Sequence, residues 1–128
     1  MRRHEDLLVY QLSEQLAIDV QQFVLNVPRA LRRPVLLQLE RSSGSIPDAI
    51  AEGSKKETNR EFYQYLGTAM GSVAEVTTQL RRARRAYPSA AFLLEAQRTI
   101  GHIRQLLTGL MKTVRTRGDT EERRFFRR

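Results

Sequence analysis

The chain has 128 residues, the length of one ordinary domain, and it contains no cysteine. The missing cysteines exclude disulfides, thiolate catalysis and Cys-ligated zinc, and they fit a reducing, cytoplasmic environment. With 22 Lys and Arg against 14 Asp and Glu, the formal net charge is +8, and no apolar run is long enough to span a membrane.

Most of the cations are arginine, and they are unevenly distributed along the chain. Between Glu5 and Val27 there is no Lys or Arg, so this segment carries −4 and the rest of the chain carries +12. Arginine binds phosphate in a bidentate geometry and stacks on bases, so the bias favours RNA or DNA as a partner. A charged, solvated surface without a specific partner is the alternative interpretation.

The first two segments with helical periodicity are bounded by prolines. Apolar residues recur every three or four positions from Leu8 to Val27, and Pro28 ends this helix because proline disfavours helix at the preceding residue. The second helix follows Pro34, which suits the first turn of a helix. Gly53 is predicted to be the left-handed C-cap of the second helix.

The third helix is predicted from its start signal and its regular apolar seam. Thr58 and Glu61 have the spacing of a capping box. From Phe62 to Tyr87 the apolar positions alternate in steps of four and three residues. Such a seam packs against neighbouring helices at about 20°.

The fourth helix has a similar seam from Leu93 to Val114, after which the apolar pattern stops. The sequence therefore predicts a helical domain over residues 1–115 and a basic, flexible tail over residues 116–128. Short connections between the helices are typical of antiparallel neighbours. The predicted fold is all-α, an antiparallel up-down four-helix bundle.

The third helix has few charges on any of its faces. Between Phe62 and Leu80 the only charged residue is Glu75, whereas a helix of a lone bundle usually keeps one charged face. Gly67 and Gly71 lie four residues apart and leave room for another backbone to approach closely. Either this helix is the most buried member of the bundle or its second face meets another subunit. The second interpretation is favoured, and it predicts a homo-oligomer.

The candidate nucleic-acid-binding residues are all cationic. Four arginines at the end of the third helix lie within about 8 Å of helix rise, which suits a phosphate backbone. Cations at a helix C-terminus also complement the macrodipole, which is the alternative explanation. Further candidates lie in the turn between the second and third helices and along the fourth helix. The full set is Arg81, Arg82, Arg84, Arg85, Lys55, Lys56, Arg60, Arg98, Arg104, Lys112, Arg115 and Arg117.

No group of residues has the spacing of a catalytic or metal site. Glu52 and Glu75 come nearest to an acid/base pair, but no His or third carboxylate is spaced to complete it. Glu75 is instead predicted to accept hydrogen bonds at a helix contact. His4 and His102 are too few and too scattered to ligate a metal. The sequence therefore predicts a non-enzymatic protein without a metal or cofactor.

Three stretches carry a resemblance to a known family: residues 6–11 (DLLVYQ), residues 38–53, which include SIPDAIAEG, and residues 61–80. The sequence resembles the four-helix-bundle proteins encoded by intervening sequences in bacterial 23S ribosomal RNA genes. Relatives of that family include the accessory variability determinant proteins of diversity-generating retroelements. Ala49 and Tyr10 depart from the family's usual Asn and Trp, which puts in doubt any hydrogen bond of that Asn but not the fold.

The resemblance implies a non-enzymatic bundle that assembles into a ring, typically a pentamer. In the retroelement branch it implies a basic protein that binds RNA and a reverse transcriptase. Two functions stay open at this point. The first is an RNA-binding accessory protein whose partners are further copies of itself, RNA and a reverse transcriptase. The second is a protein-interaction scaffold without nucleic acid, which uses the acidic first helix or the nearly uncharged face of the third.

Overall fold

Four helices account for most of the chain. The computed structural model describes residue 4 and residues 7–126, with side chains described as far as residue 117. The helices are α1 (Leu8–Asn26), α2 (Pro34–Ser54), α3 (Asn59–Ala86) and α4 (Ala91–Phe126), and a 3-10 turn at Arg29–Leu31 connects α1 to α2. No strand occurs among those described residues.

Neighbouring helices run antiparallel. Ser42 of α2 lies beside Glu75 of α3, and Ser45 lies beside Ser72, so residue numbers rise in one helix as they fall in the other. Each helix contacts the next, and α1 also contacts α4. The predicted four-helix bundle is therefore confirmed.

The core is formed by the apolar stripes of all four helices. Val20, Ile50, Leu66 and Leu107, one from each helix, are completely buried. Burial of such side chains stabilises the folded chain by about 1.5–3 kcal/mol each. Of the neighbouring helix pairs, α1 and α4 make the smallest contact, and a groove remains between them.

The connection between α1 and α2 is held by an arginine. The Nε atom of Arg32 donates to the carbonyl oxygen of Val27 at 2.8 Å, and its Nη2 atom donates to that of Leu25 at 3.2 Å. A cation at this position satisfies carbonyl groups that the end of a helix leaves without a partner. The next helix then begins with Pro34, as predicted.

The prediction that Gly53 caps α2 is wrong. Gly53 lies inside the helix, and no glycine among the described residues has a positive φ. A Cβ atom at Gly53 would lie 2.5 Å from the Cβ of Tyr65 and 3.1 Å from Cδ1 of Phe62. Glycine is needed here because α2 and α3 approach closely, and not because the backbone turns.

The last helix is longer than its apolar pattern. α4 continues to Phe126, although Val114 is its last buried residue among those whose side chains are described, which end at residue 117. A helix that is already nucleated by packing is extended at little cost by polar residues, so it does not have to stop where packing stops. The predicted boundary at residue 115 is therefore not a helix end. The flexibility of residues 116–128 stays a prediction, and the last two of them lie outside the described residues.

Candidate nucleic-acid interface

Three of the four clustered arginines come together on one side of α3. Arg81, Arg84 and Arg85 line a shallow cleft of about 320 Å³ between the end of α3 and the start of α4. Pro88 and Gln97 complete its lining. Arg82 is also exposed, but it does not belong to this cleft.

The cleft is positively charged and partly preorganised. The Nη1 atom of Arg84 donates to Oε1 of Gln97 at 2.7 Å, which fixes this guanidinium group across the two helices. Within the described part of the chain, no carboxylate forms an ion pair with Arg81, Arg84 or Arg85. These charges are therefore available to an anion from solution.

The α1–α2 connection brings further arginines to the same end of the bundle. The hydroxyl of Tyr87, the residue after α3, accepts a hydrogen bond from the backbone nitrogen of Arg33 at 2.8 Å and donates one to the carbonyl of Leu31 at 2.6 Å. Arg29 and Arg33 are exposed. Sequence reasoning missed both, although antiparallel helices necessarily bring the first and third connections to one end of the bundle.

The predicted cations of the α2–α3 turn lie far from the arginine cluster. From Arg60 to Arg81 the axial rise of α3 is about 32 Å. Lys56 lies 3.8 Å from Oε1 of Glu52, and its ammonium group is 5.2 Å from the centroid of the Tyr65 ring. This second group, which also includes Lys55, therefore does not form one patch with the cluster.

The predicted cations of α4 are exposed but spread along the helix. From the first to the last of them the axial rise is about 28 Å. Lys112 and Arg117 line a shallow cleft of about 350 Å³ with two threonines. The cations of α4 are Arg98, Arg104, Lys112, Arg115 and Arg117.

The outer face of α3 is exposed and nearly uncharged. A Cβ atom at Gly67 or Gly71 would meet no atom within 4 Å, so neither glycine allows a close approach inside the protomer. The alternative that α3 is enclosed by its own bundle is therefore wrong. Glu75 accepts a hydrogen bond from Ser42 at 3.2 Å, as predicted. The exposed residues of this face are Gln64, Gly67, Thr68, Gly71, Ala74, Glu75 and Thr78.

A groove of about 410 Å³ separates α1 from α4 on another side of the bundle. The Phe23 and Phe92 rings, which line it, stack with their centroids 5.2 Å apart. Asp19 and Glu95 also line the groove, so its lining combines aromatic rings with negative charge. Its charge is opposite to that of the arginine cleft.

The comparisons with known proteins identify the family. The family model described as "23S rRNA-intervening sequence protein" matches residues 5–109. The chain belongs to this family. The fold agrees with that of a solved structure from Bacteroides thetaiotaomicron VPI-5482, titled as a protein with unknown function from the S23 ribosomal protein family. The two chains are 20% identical with a TM-score of 0.75, and the match covers 82% of this chain and 99% of that one.

No curated protein matches the sequence. Among the described residues, no helix is both long and apolar enough to cross a membrane. Within the same part of the chain, no three His, Cys, Asp or Glu side chains are grouped as a metal site would require.

Proposed function

We propose that this member of the family is a non-enzymatic RNA-binding protein that acts as a homo-oligomer. The observation that carries the proposal is the cleft in which Arg81, Arg84 and Arg85 converge without carboxylate partners. Three guanidinium groups at one site match the charge and hydrogen-bonding geometry of phosphate oxygens.

The number of arginines favours phosphate binding over a purely structural role. One or two cations in the last turn suffice to complement a helix macrodipole, and Arg84 and Arg85 already lie in that turn. Arg81 lies outside it and contributes to the same cleft. Repulsion between Arg81 and these like charges costs free energy, which a bound anion would offset.

Assembly into an oligomer would increase the electrostatic attraction to RNA. Five copies, the ring size that the resemblance implies, would together carry about +40 from a charge of +8 per chain. Binding to RNA would then be multivalent and strongly salt-dependent. The exposed, nearly uncharged face of α3 is the surface that we propose for contact between copies. A reverse transcriptase as a further partner, and a cytoplasmic location, stay predictions.

A protein-interaction scaffold without RNA is the second candidate function, and the groove between α1 and α4 supports it. A lining that contains both stacked aromatic rings and carboxylates suits an amphipathic segment with basic residues. If this groove is the main binding site, RNA affinity will be weak and will not depend on the arginine cluster.

The test is a double charge reversal in the cleft, Arg81→Glu with Arg85→Glu. Binding of a labelled RNA hairpin should weaken across salt concentrations. The slope of log affinity against log salt should fall by about 0.7–0.9 for each phosphate contact that is lost. Helical content and particle mass are measured in parallel, because acidic residues at a helix C-terminus oppose its dipole.

A matched comparison distinguishes an effect of the cleft on RNA affinity from an effect of the net charge. Arg81→Glu and Arg41→Glu change the net charge equally, and both residues are exposed on helices. The proposal requires a larger loss of affinity for Arg81→Glu. Equal effects of these single changes, or unchanged binding by the folded double variant, would remove the cleft as the RNA site.

A further inference from the structure

The α1–α2 connection and the arginine cleft form one continuous end of the bundle. The hydroxyl of Tyr87 holds the connection through its two hydrogen bonds, to the nitrogen of Arg33 at 2.8 Å and to the carbonyl oxygen of Leu31 at 2.6 Å. Tyr87 follows Arg85 by only two residues. The backbone of the connection is therefore fixed against the end of the helix that carries the cluster.

Both segments at this end are positive and contain no acidic residue. Residues 27–39 include three arginines, residues 76–94 include four, and neither range contains Asp or Glu. Glu40 directly follows the first range, and it forms no ion pair within the described part of the chain. Of the carboxylates that flank the second range, Glu75 accepts a hydrogen bond from Ser42, and Glu95 lines the groove on the other side of α4. The two segments together carry +7, close to the net charge of +8 of the whole chain.

The three arginines of the connection have different roles. Arg32 is half-buried, and its guanidinium group is used by the carbonyl oxygens of Leu25 and Val27 at the end of α1. Arg29 and Arg33 are exposed, and no carboxylate within the described ranges pairs with them. Only these two are therefore available to a ligand.

We propose that Arg29 and Arg33 bind phosphates of the same RNA that occupies the α3 cleft, with Tyr87 as the positioning residue of Arg33. The inference rests on the proposed RNA-binding function and extends the site onto a second connection. Charges act on one another over about 8 Å at physiological ionic strength, so adjacent loops present one field to a polyanion. A chain of phosphates, unlike a single anion, can contact both loops at once.

The experiment measures the affinity for a labelled single-stranded oligouridine over a salt series, using the full chain. Arg33→Gln should lower the affinity several-fold and reduce the log–log slope by about 0.7, the value for one contact with a single strand. Arg41→Gln is the matched control, since it removes one exposed charge from α2, away from both connections. For Arg41→Gln, the slope of log affinity against log salt should equal that of the unchanged protein.

Tyr87→Phe tests the positioning role. The phenyl ring keeps the packing but removes both hydrogen bonds, so the slope should fall as it does in Arg33→Gln. Combining Tyr87→Phe with Arg33→Gln should cause no further fall in slope, because both changes remove the same contact. A purely structural role would lower the unfolding temperature and leave the slope unchanged, which would overturn the positioning role.

The two proposals fail in different ways. If Arg29→Gln and Arg33→Gln behave like Arg41→Gln while Arg81→Glu with Arg85→Glu still weakens binding, this inference is wrong and the proposed function stands. If the unchanged protein does not bind RNA at low salt, both are wrong. The measurements on Arg29→Gln and Arg33→Gln do not require Tyr87→Phe to fold. They therefore decide whether the connection binds phosphate even if Tyr87→Phe unfolds.

Discussion

At the scale of single residues, two glycines in helices have opposite surroundings. A Cβ atom at Gly53 would lie 2.5 Å from the Cβ of Tyr65, which is fixed to the backbone and cannot rotate away. A Cβ atom at Gly109 would meet nothing within 4 Å. Alanine is intrinsically better than glycine in a helix by about 0.5–1 kcal/mol, so the surroundings decide the sign of each substitution.

Gly53→Ala should therefore destabilise the protein. Overpacking of a tight contact costs about 1–3 kcal/mol, which exceeds the gain in helix propensity. Gly109→Ala is the control and should raise the free energy of unfolding by about 0.5–1 kcal/mol. Urea unfolding followed by circular dichroism measures both. Equal stabilisation by the two changes would show that α2 and α3 are further apart at Gly53 than described.

The carboxylates also have identifiable structural contacts. Glu75 accepts a hydrogen bond from Ser42 between α2 and α3. Glu52, in the last turn of α2, lies 3.8 Å from the ammonium group of Lys56, two residues beyond the end of the helix. We therefore expect Glu52→Gln and Glu75→Gln to alter stability or assembly and not turnover. Loss of a hydrolytic activity with an intact oligomer would contradict the prediction of a non-enzymatic protein.

At the scale of elements, α3 has two faces of different character. Its inner face carries completely buried side chains such as Leu66 and Leu80. Its outer face is made of small, mostly uncharged residues around Gly67 and Gly71, and it stays exposed in the single chain. A helix face with few charges and mostly small side chains suits close contact with another helix.

Gly71→Leu should therefore reduce the size of the oligomer without unfolding the protomer. Gly71 is exposed and a Cβ atom there meets no atom within 4 Å, so we expect a steric clash of the leucine only if another copy packs there. Gly109→Leu, on an exposed part of α4, should leave the particle mass unchanged. Light scattering with circular dichroism distinguishes dissociation from unfolding. If both variants keep the mass of the unchanged protein, α3 does not form the contact between copies.

At the scale of the whole molecule, opposite charges lie on different parts of the bundle. The arginine-rich end carries the cleft between α3 and α4, whereas the groove between α1 and α4 is lined by Asp19 and Glu95. The separation allows one protomer to attract a polyanion and, elsewhere, a cationic segment. An RNA-binding site and a protein-binding site are therefore compatible in the same assembly.

The particle mass is the corresponding prediction for the whole molecule. At micromolar concentration, light scattering should give several times the 14.8 kDa of one chain, and a fivefold mass would match the ring size that the resemblance implies. High salt should weaken RNA binding with little change in this mass, since the face proposed for contact between copies carries only one charged residue, Glu75. A clean monomer would contradict both the assembly and the multivalent binding.

The sequence by itself determined the helices and their inner faces. Local rules were sufficient for this: Pro34 begins α2, and the side chain of Thr58 accepts a hydrogen bond from the Glu61 nitrogen at the start of α3. The apolar seam of α3, which repeats every seven residues, likewise predicted which of its residues are buried. Such features depend on contacts within one or two turns, or on a periodicity that the sequence displays directly.

Only the tertiary structure decided which distant residues lie together. The role of Gly53 depends on how closely α3 approaches, which no local pattern contains, so the sequence-based prediction of a cap was wrong. Arg33 joins the end of the bundle that carries the cluster because Tyr87, 54 residues later, binds its backbone. Contacts between separate helices follow from how their surfaces pack, and that packing depends on the shapes of all four helices at once.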